Sequence, residues 1–368
     1  MILPNPRRHA PLQQIHWRDG EDRGPRPSAL PAMDVLLTSP WIPAEWVRAH
    51  GLAAHGIWFA KSFEEEAQPL DTGVCAFAES TVRLARHHSG AAVVFTTACD
   101  QLRRGFDDLA RQRSSALLFN LPATRSPAAR QLYRAELERL GQFLRECGGL
   151  TPTPEMLQNE LEQTDTARRR LRAAAENCPA RRYAAAVAEF HGWGSEYRTG
   201  QLALPLPTPD PTPLTRPPFS NRIPLALIGS PLGEADWNLF DQVETAGGRV
   251  VLNATKTGEF SLCPTFEGWP TDPDSMLDTL VAGYFDHLVD VFQRPNEPLY
   301  NWLRPRLQSR HVRGIILWTF AGCDLWRAEM QTLRETFDLP VLLLEASAAA
   351  AVIPRDLTRL QAFLASLT

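Results

Sequence analysis

The sequence predicts an α/β protein of two Rossmann-like parallel-sheet domains with a helical insert between them. Three observations carry this expectation. Short apolar runs alternate with helical segments in two groups of four, a block of capped helical sequence separates the groups, and a proline-dense stretch follows that block.

Taken in order, residues 1–32 are rich in Pro and Arg without periodicity and predict an irregular N-terminal arm. A first α/β domain is expected over 33–125. Its strands are DVLLTS (34–39), HGIWFA (55–60), AAVVFTT (91–97) and SALLFNL (115–121). Residues 126–203 form the predicted insert of three helices. The first has a Ser-Pro start at 126, the second has Thr153 as cap and Pro154 in the first turn, and the third ends near Gly192. Residues 204–221, LPLPTPDPTPLTRPPFSN, hold too many prolines for a helix or a sheet interior and read as an extended linker. A second α/β domain over 222–368 follows, with strands PLALIGS (224–230), RVVLNAT (249–255), GIILWTF (314–320) and PVLLLEA (340–346). These are continuous apolar runs, as parallel strands covered on both faces require.

Composition narrows the function classes. The chain has 368 residues, is 44% hydrophobic and 22% charged, and carries a net charge of −4, which suits one large or two medium soluble domains. Its N-terminus lacks the apolar stretch of a signal peptide, and no run approaches the ~20 apolar residues of a membrane span, so a cytoplasmic protein is expected. Six cysteines in such a compartment are not a disulfide framework. Basic charge is almost all arginine, with lysine only at Lys61 and Lys256. The arginines are interspersed with carboxylates in segments such as RRRLRAAAENCPARR, so no nucleic-acid stripe emerges.

The two α/β groups echo each other. Each first strand ends in Ser-Pro, at Ser39-Pro40 and Ser230-Pro231. Thr-Gly followed by cysteine comes next, in TGVC (Cys75) and TGEFSLC (Cys263). Each third strand then runs into Cys-Asp, at Cys99-Asp100 and Cys323-Asp324. In parallel α/β sheets ligands collect outside the carboxyl ends of strands, where Cys99 and Cys323 fall, and helix N-termini there favour thiolate. Cys75 sits at a loop-to-helix start, so domains facing across these edges bring three thiolates to one site. Cys147 and Cys178 lie in the insert and read as packing or surface thiols.

No C-x-x-C pair occurs, which argues against zinc ribbons, thioredoxin-like pairs and ferredoxin runs. Three dispersed thiolates with an open fourth position suit an iron–sulfur cluster whose vacant iron acts as a Lewis acid. On spacing alone the same cysteines are also small buried hydrophobes at strand ends, and both readings stand.

The segments LLTSPWIPAEWVRAHGL, VCAFAESTVRLA, VVFTTACDQLRRGFDDLA, ALIGSPLGEADWNLFDQVETAGGRVVLNATKTGEF and GIILWTFAGCDLWRAEMQTLRETFDLPVLLLEAS, with the closing LTRLQAFLASL, add a resemblance. In this order they resemble the D-component family of 2-hydroxyacyl-CoA dehydratases, which also includes benzoyl-CoA reductase subunits and double-cubane cluster proteins. The resemblance covers most of residues 33–368. It implies cluster ligands at Cys75, Cys99 and Cys323, holding a 4Fe-4S cluster or a double-cubane 8Fe-9S cluster. It further implies low-potential one-electron dehydration of a 2-hydroxyacyl-CoA through a ketyl radical. The alternatives are ATP-dependent reduction of small molecules and a non-catalytic cluster carrier. Implied partners are a transient ATP-hydrolysing iron–sulfur activator and a second copy or a related subunit, in a homodimer or heterodimer. Ser39 and Glu45 match the family's N-terminal polar positions and would hydrogen-bond the thioester or the leaving hydroxyl. They are also, respectively, a turn serine before proline and a first-turn helix carboxylate. Cys263 has no settled counterpart among the ligands.

Overall fold

The computed structural model describes residues 33–59, 74–192, 206, 222–266, 268–346 and 354–368. The expected arm over 1–32 lies outside them, as does the proline-rich segment 204–221 apart from Leu206.

The first half contains β1 (Asp34–Leu37), α1 (Ala44–Ala49), β2 (Ala53–Gly56), α2 (Ala76–His87), β3 (Ala92–Thr96), α3 (Asp100–Ala110) and β4 (Ala116–Phe119). Three helices follow: α4 (Pro127–Glu146), α5 (Pro154–Ala174) and α6 (Ala180–Phe190). The second half contains β5 (Ile223–Gly229), α7 (Asn238–Thr245), β6 (Gly248–Thr255), α8 (Pro273–Tyr284), α9 (Glu297–Ser309), β7 (Gly314–Phe320), α10 (Asp324–Phe337), β8 (Val341–Ala346) and α11 (Pro354–Ala365). Both sheets are parallel and four-stranded. Their orders, β2-β1-β3-β4 and β6-β5-β7-β8, are the same in each half, so the echo in the sequence is also an echo in topology.

Local chemistry sets the helix starts. Ser126 and Thr153 accept the N–H of Ala129 and Met156, each with proline in the first turn. Asp272 and Ser275 form a reciprocal capping box on α8. One strand differs from expectation: β2 covers 53–56 rather than 55–60. Pairing with β1 ends at Gly56, whose N–H bonds the carbonyl of His191 at 2.7 Å. The apolar residues Ile57, Trp58 and Phe59 are buried in core packing, which is why they imitate a strand.

One core joins the inner faces of both sheets to the three central helices. It includes Val35, Leu37 and Val94 of the first half, Tyr133, Leu161 and Leu171 of the helices, and Leu225, Leu227 and Ile316 of the second half. The outer face of each sheet has its own core under its helices. Among the described residues no helix is long and apolar enough to cross a membrane.

Candidate functional site

In each sheet the first and third strands are neighbours from which the chain departs in opposite directions, so their carboxyl ends bound a crevice. Ser39 follows β1 and Cys99 follows β3. Ser230 follows β5 and Cys323 follows β7. The Ser230 hydroxyl donates to Cys323 Sγ at 3.5 Å. Two glycines shape this edge. Gly229 has a φ of 138°, and a Cβ there would stand 1.9 Å from the Trp318 carbonyl oxygen, so only glycine lets β5 end against β7. Gly322 has a φ of 81° and sits third in a turn closed by Cys323 N–H to the Phe320 carbonyl at 2.9 Å, as a type II turn requires.

Cys75, Cys99 and Cys323 are the residues immediately preceding α2, α3 and α10, and none spends its side chain on capping. The backbone N–H of Cys75 donates to Gln101 Oε1 at 2.9 Å, which ties the start of α2 to the first turn of α3. Beside them Phe77 stacks on Phe320 with centroids 6.1 Å apart, joining the two halves. All three cysteines are half-buried. Burial pushes the Cys75 thiol up to about 12, and Cys99 and Cys323 add to the rise. Burial likewise raises Cys99, against the pull of Lys256 and the amides of α3, with Cys323 adding to the rise. For Cys75 and Cys99 the expected thiolate preference at a helix N-terminus is thus outweighed by desolvation. These three thiols are drawn from both halves.

Among the described residues, no three His, Cys, Asp or Glu side chains gather to hold a single metal ion. A multi-iron cluster needs no common ion, because each thiolate binds a different iron. The residues present fit such a group: three free, half-buried thiols at helix starts, none of them engaged in capping. Cys263 belongs elsewhere. It is buried, pushed up to about 12 by desolvation, and its main charged neighbours are Arg168, Glu45, Arg172 and Asp165. Cys178 is buried and Cys147 half-buried at helix ends.

Ser39 and Glu45 lie at the end of β1 and in the helix that follows it. The Ser39 hydroxyl accepts the Trp41 N–H at 3.3 Å and holds its turn. Glu45 is fully buried. Its Oε1 accepts from Arg168, and its Oε2 accepts from the Tyr284 hydroxyl at 2.6 Å. Arg168 also donates to Asp165 at 2.7 Å and lies over the Phe266 ring at 5.2 Å. Burial opposes ionisation of Glu45, yet Arg168, Arg48 and the Tyr284 hydrogen bond prevail and bring it down to about 2. It is therefore a carboxylate with no proton to give and both oxygens engaged. Nearby, His191 is held down to about 3 by burial and the Arg168 charge, and its Nε2 meets the Ser261 hydroxyl at 2.9 Å. Pro40, Glu45, Thr164, Arg168, His191 and Tyr284 are among the residues lining a cavity with room for about one water.

Sequence reasoning missed Arg168, Tyr284 and Asp290. Arg168 hides in an arginine run that reads as a solvated face. Lys256 carried a signal, being one of two lysines in an arginine-rich chain.

Two parallel sheets of identical strand order, with cysteines at matching strand ends, define an α/β protein of duplicated topology with a thiol-rich crevice. The chain belongs to the 2-hydroxyglutaryl-CoA dehydratase, D-component family, which it matches over residues 41–367. No curated protein matches it.

Proposed function

We propose that this chain is the cluster-bearing subunit of a 2-hydroxyacyl-CoA dehydratase-like lyase, with Cys75, Cys99 and Cys323 as ligands of a 4Fe-4S cluster. The observation that carries the reading is the placement of these three half-buried cysteines, each at the start of a helix and contributed by both halves of a chain in this family, beside the Phe77–Phe320 contact that joins the halves. Such a cluster, once bound and reduced, supplies a low-potential electron to the thioester and a Lewis-acidic iron for a substrate oxygen. The protein's own part is to hold three thiolates at the crevice and to exclude water with the Phe77–Phe320 stack. Glu45, ionised and doubly hydrogen-bonded, serves as a fixed anion that orients Tyr284 and Arg168 rather than as a proton donor. The electron donor in this reading is an ATP-hydrolysing iron–sulfur activator, and a related subunit or second copy completes the enzyme.

A second reading is a non-catalytic cluster carrier, in which the same three cysteines hold a cluster without a substrate. The two are separated by adding a 2-hydroxyacyl-CoA to the cluster-loaded chain reduced with titanium(III). A dehydratase component shows a changed electron paramagnetic resonance spectrum on adding the thioester. An unchanged spectrum with the cluster fully loaded supports the carrier.

A further inference from the structure

Lys256 follows directly on β6, at the same sheet edge as Cys323. Its ammonium pairs with Asp290 Oδ2 at 3.0 Å, with only 17% and 4% of the two side chains exposed. Asp290, Cys99 and Cys323 hold the Lys256 ammonium charged against its burial, and Lys256 in turn pulls the Cys99 thiol down. Lys256 thus places a cation, held by a buried carboxylate, at the carboxyl edge of the second sheet, where Cys323 follows β7.

The turn that supplies Asp290 is unusual. It is closed by Gln293 N–H to the Asp290 carbonyl at 3.3 Å, and its Phe292 packs edge-on against Trp41, 5.3 Å away, just beyond Ser39-Pro40. Gln293 is 3% exposed, and among the described residues neither its Oε1 and Nε2 nor Asp290 Oδ1 has a hydrogen-bond partner.

We infer that Lys256, held by Asp290, is the charge-compensating residue of the cluster site and sets the reduction potential of the bound cluster. The inference rests on the cluster reading proposed above. Three thiolates outweigh the positive charge of an oxidised cubane core, and reduction adds a further negative charge. A fixed cation in a poorly hydrated site stabilises the reduced form more than the oxidised one, which raises the potential. Lys256 is a positioning residue here: it acts on the cluster's charge and touches no substrate.

The test uses the full chain, reconstituted anaerobically with iron and sulfide, and compares the parent with three variants. Lys256→Met/Asp290→Asn removes both charges and leaves no buried ion unpaired. Asp290→Asn alone leaves the cation unopposed, and Lys256→Arg keeps it. Iron and sulfide per chain, far-ultraviolet circular dichroism and a redox titration followed by electron paramagnetic resonance are read for each. The midpoint is expected to move to more negative potential in the double variant, to less negative potential in Asp290→Asn, and to stay near the parent in Lys256→Arg. Loss of iron from a folded double variant, with retention in Lys256→Arg, equally supports the inference. Full loading with the parent's midpoint in the double variant and in Asp290→Asn overturns it while leaving the cluster reading intact. A parent that takes up no iron overturns both.

Discussion

The backbone N–H of Cys75 donates to the side-chain oxygen of Gln101 at 2.9 Å, so the cysteine before α2 is fastened to the first turn of the helix that Cys99 precedes. One side chain thereby fixes the separation of two proposed ligands. Gln101→Leu should cost about 1 kcal/mol of stability and hasten iron loss out of proportion to that cost. The check is the rate of iron transfer to a chelator alongside urea unfolding. Parent-like iron retention in a variant destabilised as expected would show that the bond only caps a helix.

Arg168 reaches Glu45 across 123 residues of sequence and Asp165 within its own helix, with all three side chains buried. Arg168→Met strands two carboxylates and should cost about 3–5 kcal/mol, as breaking one partner of a buried pair does. Arg168→Met/Glu45→Gln should recover part of that loss. Equilibrium unfolding of the single and double variants measures it, and strictly additive losses would contradict the coupling.

Glu45 also sets a pH dependence. Its folded-state pKa of about 2 lies below the ordinary 4.5, so its contribution is fully present above pH 4.5 and is lost as pH falls towards 2. That contribution is at most on the order of 3 kcal/mol. His191, held down to about 3 from 6.5, acts in the same direction, because the unfolded chain takes up its proton first as pH falls below 6.5. Glu45→Gln should therefore be less stable than the parent at pH 7, with the gap narrowing between pH 4.5 and 3. A gap constant over that range in denaturant titrations would contradict the depressed pKa.

Cys263 has Arg168, Glu45 and Arg172 as its main charged neighbours, and Arg172 donates to its carbonyl at 2.5 Å. Cys263→Ala should leave iron uptake at the parent level and lower stability by about 1 kcal/mol through lost packing. Iron assay and thermal unfolding decide it, and a halved iron content would make Cys263 a ligand.

The sequence made the strand-end cysteines legible because their setting is local: an apolar strand, a turn and a helix start within a dozen residues. The matching strand order of the two sheets was likewise foreshadowed by the repeated Ser-Pro and Cys-Asp signals. The echo failed at Cys263, since the Thr-Gly-Cys likeness to Cys75 is local while its burial is decided by the central helices. Glu45 was found, but its partners were not. Tyr284 lies 239 residues away, and an arginine inside a run of three looks solvated whether or not one of them turns inward. The strand expected at 55–60 is observed at 53–56 because a short continuous apolar run does not distinguish pairing from packing.

The central claim is that Cys75, Cys99 and Cys323 hold one iron–sulfur cluster. Iron and sulfide per chain after anaerobic reconstitution test it most directly, in alanine variants of all six cysteines. Cluster loss is expected for Cys75→Ala, Cys99→Ala and Cys323→Ala, and parent-level iron for Cys147→Ala, Cys178→Ala and Cys263→Ala. Unchanged iron in Cys99→Ala and Cys323→Ala, or no iron in the parent chain, would contradict it.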